Sequence, residues 1–255
     1  MPELLAGKTS LILGVANKWS LAYAIAQAFR REGAKLLLTY QGDRQKDVVT
    51  ELGSELGAAA IFECDVTRDE DLTKLAETVR QHGRLDTLVH SIAFANREDL
   101  SRPFVETSRE GFLLAQDVSA YSLVSAARTV APLMTEGGSV LTLSYLGATR
   151  VVTNYNVMGV AKAALEACVR YLSSDLGPSN IRVNAISAGP VKTVSARGVA
   201  GLSKMLETMP TRAPLRRNCT PEEVADTAVF LASDLGRGVT GNVLFVDAGY
   251  QVMGF

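Results

Sequence analysis

Tyr155 and Lys162 stand seven positions apart in Asn154-Tyr155-Asn156-Val157-Met158-Gly159-Val160-Ala161-Lys162. An α-helix turns about 100° per residue, so seven positions return to nearly the same face, about 10 Å further along the axis. One helical face would then present a phenol, which can give a hydrogen bond or a proton, beside an ammonium group. That combination suits a reaction in which negative charge develops on a substrate oxygen. A tyrosine alone on a helix is usually half-buried packing, and a lysine alone is a solvated cation. On an otherwise apolar stretch, the pair reads as chemistry.

The elements that must position this pair alternate along the chain. Short runs rich in Val, Ile and Leu read as strands at Ser10–Leu13, Lys35–Thr39, Ala59–Glu63, Thr87–His90, Ser139–Leu143, Arg182–Ile186 and Val243–Val246. Several lack polar alternation, as strands buried on both faces of a parallel sheet do. Helical patterns fall between them, at Leu21–Arg31, Asp43–Leu56, Asp69–Gln81, Arg109–Met134, Asn154–Leu176 and Pro221–Ala232. Gly33 after the first helix, Gly177-Pro178 after the long one and Thr220-Pro221-Glu222-Glu223 before the last are stop and start signals, and Asp69 precedes its helix as a cap would. This rhythm predicts an α/β fold: a single-domain, Rossmann-like doubly wound parallel sheet of about seven strands flanked by helices, spanning residues 1–255. The rhythm fails at about residues 190–214, which read as a substrate-loop insertion near the carboxyl ends of the strands.

Leu11-Ile12-Leu13-Gly14 followed by Val15–Ala22 is a strand, a glycine turn and a helix start, which would aim backbone N–H groups of Ser20 and Leu21 at a pyrophosphate. Only Gly14 matches a glycine of the usual Gly-rich fingerprint, and a plain turn capped by Ser20 reads as well from this segment alone. The second strand leads into Gln41, at the place where adenosine-ribose selectivity is set. A neutral amide suits ribose hydroxyls, whereas a 2′-phosphate calls for a close cation, and Arg44 lies three residues on. NADH is therefore expected ahead of NADPH. Asp65, with Val66 beside it, offers either an acceptor for the adenine amino group or a helix cap. His90 reads as structural, and the small apolar stretch containing Ile92 is where the middle of the cofactor would pass.

Composition narrows the classes. With 26 basic and 27 acidic residues in 255, the formal net charge is −1, so no global field recruits nucleic acid or an anionic membrane. Cys64, Cys168 and Cys219 are dispersed and odd in number, which fits a reducing compartment. With no secretory signal pattern and no apolar run approaching about 20 residues, a cytoplasmic protein with no membrane partner is expected. Two histidines and three scattered cysteines do not supply a typical zinc site, so no metal is expected. Neither a Gly-x-Ser-x-Gly elbow nor a Gly-x-x-x-x-Gly-Lys-Ser/Thr loop is present.

Gly14–Ser20, Thr39-Tyr40-Gln41, His90–Ala95, Leu143–Ala148, Asn154–Lys162 and Arg182–Pro190 together resemble the NADH-dependent bacterial enoyl-acyl carrier protein reductases, a divergent branch of the short-chain dehydrogenases. The likeness runs from about residue 5 to residue 250, and Tyr145, Tyr155 and Lys162 are its most specific part. Most short-chain dehydrogenases carry Tyr-x-x-x-Lys, a spacing absent from this chain.

The resemblance implies reduction of a trans-2-enoyl thioester on acyl carrier protein during fatty-acid elongation. Tyr155 would stabilise the charge that develops on the thioester oxygen. Lys162 would bind the nicotinamide ribose, and Ala95, Tyr145 and Tyr155 would meet the substrate. Tyr145 takes the place where dehydrogenases acting on alcohols commonly carry serine, although Ser144 precedes it; a ring merely packed under the substrate loop is the plainer alternative. Val191, Lys192, Thr193, Val194 and Ser195 are implied in cofactor binding, and Val194–Thr208 resembles a helix that closes over substrate. Val199, Met205 and Leu206 would line an acyl channel or simply pack. Arg197, Lys204, Arg212, Arg216 and Arg217 are candidates for a landing patch for the acidic carrier protein, or form a solvated face. A homotetramer is implied by the family. The rivals are a carbonyl-reducing dehydrogenase of the same fold and a catalytically silent NAD sensor.

Overall fold

The structure, a computed structural model, describes residues 3–191, 193 and 201–254. Seven parallel strands form one sheet: β1 (Thr9–Leu13), β2 (Lys35–Tyr40), β3 (Ala60–Glu63), β4 (Thr87–His90), β5 (Gly138–Ser144), β6 (Ile181–Ala188) and β7 (Val243–Val246). Their order is β3-β2-β1-β4-β5-β6-β7, so the winding reverses between β1 and β4. That reversal opens a crevice beyond the carboxyl ends of the strands, where ligands of such sheets bind.

The strand sequences explain the layering. Successive side chains of β1 point to opposite faces. Ile12 joins an apolar layer with Ile25 and Phe29 of α1 (Leu21–Arg31) and Val224 and Val229 of α9 (Pro221–Ala232). Leu11 and Leu13 join the opposite layer, with Leu75 of α3 (Asp69–Gln81), Leu123 of α6 (Ser122–Val130) and Leu165 and Val169 of α7 (Asn156–Leu176). All five β1 residues are buried, which is why the run is continuously apolar apart from its first two positions. The remaining helices are α2 (Asp43–Glu55), α4 (Arg97–Ser101), α5 (Arg109–Gln116) and α8 (Leu202–Arg212).

Local signals act as the sequence suggests. Ser20 caps α1 by accepting from the Tyr23 N–H, and Thr220 with Glu223 forms a reciprocal capping box on α9. Asp69 is the first residue of α3 rather than its cap; Arg68 holds that place with no side-chain bond. The expected helix Arg109–Met134 is broken. Between α5 and α6 the chain widens into a π turn, Asp117–Tyr121, and Ala131–Leu133 closes as a 3₁₀ turn. Tertiary hydrogen bonds account for the break. Ser119 Oγ accepts from the Phe94 N–H at 2.9 Å and donates to the Phe94 carbonyl at 3.1 Å. Ser122 Oγ donates to the Val118 carbonyl at 2.6 Å and meets His90 Nε2 at 2.8 Å. These bonds hold the helix against the end of β4, and π bulges commonly mark such functional places. Among the described residues, no helix is long and apolar enough to cross a membrane.

Candidate active site

The crevice at the winding reversal is a cavity of about 340 Å3. Its walls include Gly14, Ser20, Leu21, Gln41, Val66, Ile92, Tyr145, Tyr155, Lys162, Val191 and Thr193, all expected from the sequence. The first of these shows why its residue type is required. Gly14 has φ +93°, and a Cβ there would lie 2.1 Å from the Ser91 carbonyl oxygen. The ends of β1 and β4 can approach this closely only without a side chain. Immediately beyond, α1 turns its N-terminus into the same cavity, with the first-turn donors that suit an anion.

At the end of β2, Gln41 lines the crevice and its Nε2 donates to Asp65 Oδ2 at 3.0 Å. Asp65 also accepts from the Thr67 N–H and hydroxyl. Burial works against its charge, but these hydrogen bonds hold the carboxyl below the usual range. Asp65 therefore orients the Gln41 amide and does not cap α3; Asp65 itself is not part of the cavity wall. Arg44 sits in the first turn of α2, also outside the wall. The cradle fits a dinucleotide: a helix N-terminus, a bare glycine turn and a neutral amide follow one another along it.

The other end of the crevice carries the two tyrosines. Tyr155 is the residue immediately before α7, so the helix begins one step beyond it. Asn154 and Asn156 on either side both have positive φ, +65° and +39°, a region asparagine tolerates better than most residues. Asn156 Nδ2 donates to the carbonyls of Asp99, Leu100 and Arg102 at 3.4, 3.2 and 2.8 Å, tying this turn to α4. Tyr155 then rests edge-on to Tyr145, with ring centroids 4.9 Å apart and planes at 68°. Gly147 leaves room for this, since a Cβ there would come within 2.4 Å of the Tyr155 ring. Burial, and secondarily Tyr145, pushes the Tyr155 phenol far up, and burial pushes Tyr145 up to about 12. Both hydroxyls thus stay protonated donors.

Lys162 follows two turns into α7 and is buried. Its Nζ donates to the Leu143 carbonyl at the end of β5, at 2.7 Å, leaving further donors on an atom whose residue lines the crevice. Burial pushes its ammonium down to about 8, against the opposing pull of Glu166. Ser144 is committed elsewhere: its Oγ donates to Glu166 Oε1 at 2.5 Å. Tyr145 hydroxyl meets Met205 Sδ of α8 at 3.8 Å, which brings α8 to the edge of the site.

Some expectations fall outside this wall. Ala95 packs with Leu100 and Tyr155 against Ala115, Val157, Met158 and Ala161, and is not among the lining residues. Leu206 faces a second cavity with Asn218 and Cys219 rather than the crevice. Lys192, Val194, Ser195, Arg197 and Val199 lie outside the described residues. Arg217 is taken up by Glu223 in a two-pronged ion pair at 2.8 and 2.5 Å, so it contributes little free charge to a patch. Lys204, Arg212 and Arg216 remain exposed.

Sequence reasoning passed over Asn17, Thr39, Cys64, Ser91, Val118 and Leu143, which also line the crevice. A signal existed for most of them: they sit at or just beyond the carboxyl end of a strand, where every residue of such a sheet is a candidate. Val118 had none, because it reaches the wall through the π turn. His90, buried on β4, is held by Thr142 and Ser122 at 3.0 and 2.8 Å and takes no place in the crevice wall.

Comparison with known proteins gives the chain a family. Residues 14–251 match the family described as Enoyl-(Acyl carrier protein) reductase. A relative from Bacillus cereus, named an NADH-type enoyl-acyl-carrier-protein reductase, is 56% identical over 99% of this chain and 100% of its own. One of the same name from Nostoc is 52% identical, over 98% of each chain. The solved structure of the Bacillus cereus reductase with NADP+ and an indole naphthyridinone superposes with a TM-score of 0.98 at 55% identity, covering 99% of this chain and 100% of that one. With a likeness that runs the length of both chains and a family match that includes Gly14, Tyr155 and Lys162, this chain belongs to the enoyl-(acyl carrier protein) reductase family.

Proposed function

We infer that this protein is an NADH-dependent enoyl-acyl carrier protein reductase in which Tyr155 is the electrophilic donor and Lys162 the cofactor-ribose ligand. The observation that carries the residue roles is the pairing of a protonated, half-buried Tyr155 with Tyr145 in one crevice, while the neighbouring Ser144 hydroxyl is spent on Glu166. A carbonyl-reducing enzyme of this fold would use that serine on its substrate, so its engagement argues against the carbonyl-reductase reading.

Gly14, Ser20, Leu21, Gln41, Val66, Ile92, Val191 and Thr193 hold the dinucleotide along the crevice, with Asp65 steering Gln41; Lys192, Val194 and Ser195 are assigned to the same task by resemblance. Bound there, the nicotinamide supplies a hydride to the β-carbon of the enoyl thioester. The double-bond pair then shifts towards the carbonyl carbon, whose own π pair passes to the thioester oxygen; the Tyr155 hydroxyl donates a hydrogen bond to that oxygen, and a proton from solvent taken up at the α-carbon completes the saturated thioester. A single donor of this kind is worth about 3 kcal/mol in the transition state. Because no proton need be abstracted by the tyrosine, a phenol kept neutral by burial is suited to the work. Tyr145, packed edge-on, fixes the ring and shapes the substrate side with Met205; Ala95 supports Tyr155 from beneath.

The one-domain reading, with about 190–214 as a substrate loop, is supported by the single sheet and by the contact of α8 with Tyr145. The acidic carrier protein is the substrate's bearer, and Lys204 and Arg212 on α8, with Arg216 just beyond it, are exposed cations that suit it. A cytoplasmic homotetramer is the assembly proposed. The test is NADH absorbance on adding a trans-2-enoyl thioester, with NADPH and a 3-ketoacyl thioester in parallel. Consumption of NADH with the enoyl substrate alone is expected. Turnover of the keto substrate alone would move the protein to the carbonyl reductases, and tight NADH binding without turnover would make it a sensor.

A further inference from the structure

Glu166 is the buried acid for which the reaction above has no use. It stands one turn beyond Lys162 on α7, so the two share a helix face, and each is only 6% exposed. They are fastened to adjacent residues of β5. Lys162 Nζ donates to the Leu143 carbonyl at 2.7 Å, and Ser144 Oγ donates to Glu166 Oε1 at 2.5 Å. A residue needed here only for packing would be apolar, as Leu165 and Val169 beside it are. A carboxylate withdrawn from water is retained when it is hydrogen-bonded and faces a positive charge. Glu166 is bonded by Ser144 and stands one helical turn from the Lys162 ammonium, without a direct ion-pair contact. Its charge favours the Lys162 ammonium, which burial alone would drive towards the neutral amine.

We propose that Glu166 is a positioning residue for Lys162: tethered by Ser144, its carboxylate keeps Lys162 protonated, so that the donors not used on Leu143 serve the ribose diol of the dinucleotide. This rests on the assignment of Lys162 as ribose ligand. It also gives Ser144 a purpose in an enzyme that does not use it on substrate. The other titratable groups around the pair are few. His90 on β4 is kept neutral by burial, pushed down to about 3, with the Lys162 charge adding to the effect. Tyr155 and Tyr145 stay protonated; burial raises the Glu166 carboxyl itself, opposed by the Ser144 hydrogen bond and then by the charges of Arg170, one turn on, and Lys162.

The experiment is a titration of the Lys162 side chain by NMR in the cofactor-free protein, for wild type, Glu166→Gln and Ser144→Ala, with NADH affinity followed over the same pH range. Glutamine keeps the acceptor for Ser144 and the shape while removing the charge. The Lys162 midpoint is expected to fall by about one pH unit in Glu166→Gln, and the alkaline loss of NADH affinity should move with it. Ser144→Ala, which frees the carboxylate, should give a smaller fall in the same direction. An unmoved midpoint overturns the proposal, as does an equal loss of affinity at every pH, which a merely structural role would produce. If wild-type NADH affinity ignores the Lys162 titration, the ribose assignment fails and the proposal with it; a wild-type alkaline limb that stays in place in Glu166→Gln removes the proposal alone. Should Glu166→Gln not fold, Ser144→Ala decides by the same midpoint.

Discussion

A phenol is a useful donor to a developing enolate only while it keeps its proton, and burial secures that at Tyr155 by pushing its ionisation far above the ordinary range. Sign and consequence agree: a raised phenol leaves the neutral donor in place through the whole physiological range, so turnover should show no titration that belongs to Tyr155. Tyr155→Phe removes the hydroxyl and keeps the ring against Tyr145. Turnover is expected to fall about 10²–10³-fold, as in single oxyanion-donor removals, while NADH affinity measured by fluorescence titration stays unchanged. Unaltered turnover would refute the role. At the adenosine end, the proposed determinant of selectivity is Gln41, whose amide donates to Asp65. Gln41→Arg should shift the ratio of kcat/KM towards NADPH by about ten-fold or more, the worth of a charge-assisted contact with a 2′-phosphate. A ratio that does not move would place selectivity elsewhere.

At the scale of elements, the site depends on two tight approaches. The carboxyl end of β1 passes the carbonyl after β4 with no space for a side chain, and the turn after β5 packs Gly147 under the Tyr155 ring. Gly14→Ala combines a positive φ with a backbone clash at 2.1 Å. It should cost about 2–4 kcal/mol in denaturant unfolding and weaken NADH binding; a stability within error of wild type would show that the turn relaxes freely. The strands and most helices were legible from periodicity and from caps such as Ser20 and Thr220, because those signals are local. The break in Arg109–Met134 was not, because the Ser119 and Ser122 hydroxyls bond Phe94 and His90, partners remote in sequence. Helix α4 was missed for a related reason: its five residues are too short to show a period, and Asn156 holds its end from across the chain.

For the molecule as a whole, the sheet's stability is linked to pH through His90. In the fold it is buried and neutral, pushed down to about 3 by burial and the Lys162 charge, against an ordinary value of 6.5. Between those values the unfolded chain binds a proton that the native state does not, so stability falls as pH drops below about 6.5 towards 3. The expected contribution is about 1.4 kcal/mol per pH unit inside that window and none above it. Urea unfolding across a pH series should show this slope in the wild type and a shallower one in His90→Gln. Equal slopes would mean that His90 takes up its proton without unfolding.

The chain by itself determined the alternation of strand and helix, the glycine turn at Gly14, the neutral amide at Gln41 and the Tyr155–Lys162 pair, because each is encoded by neighbours or by residue chemistry. Folding alone decided what those groups touch. It set Tyr145 against Tyr155, brought Met205 to the crevice, moved Ala95 off its wall and turned Asp65 towards Gln41. It also joined Ser144 to Glu166. Such contacts link residues on different elements, and their geometry comes from the winding of the sheet and the packing of α7 on β5, which no local run of residues specifies.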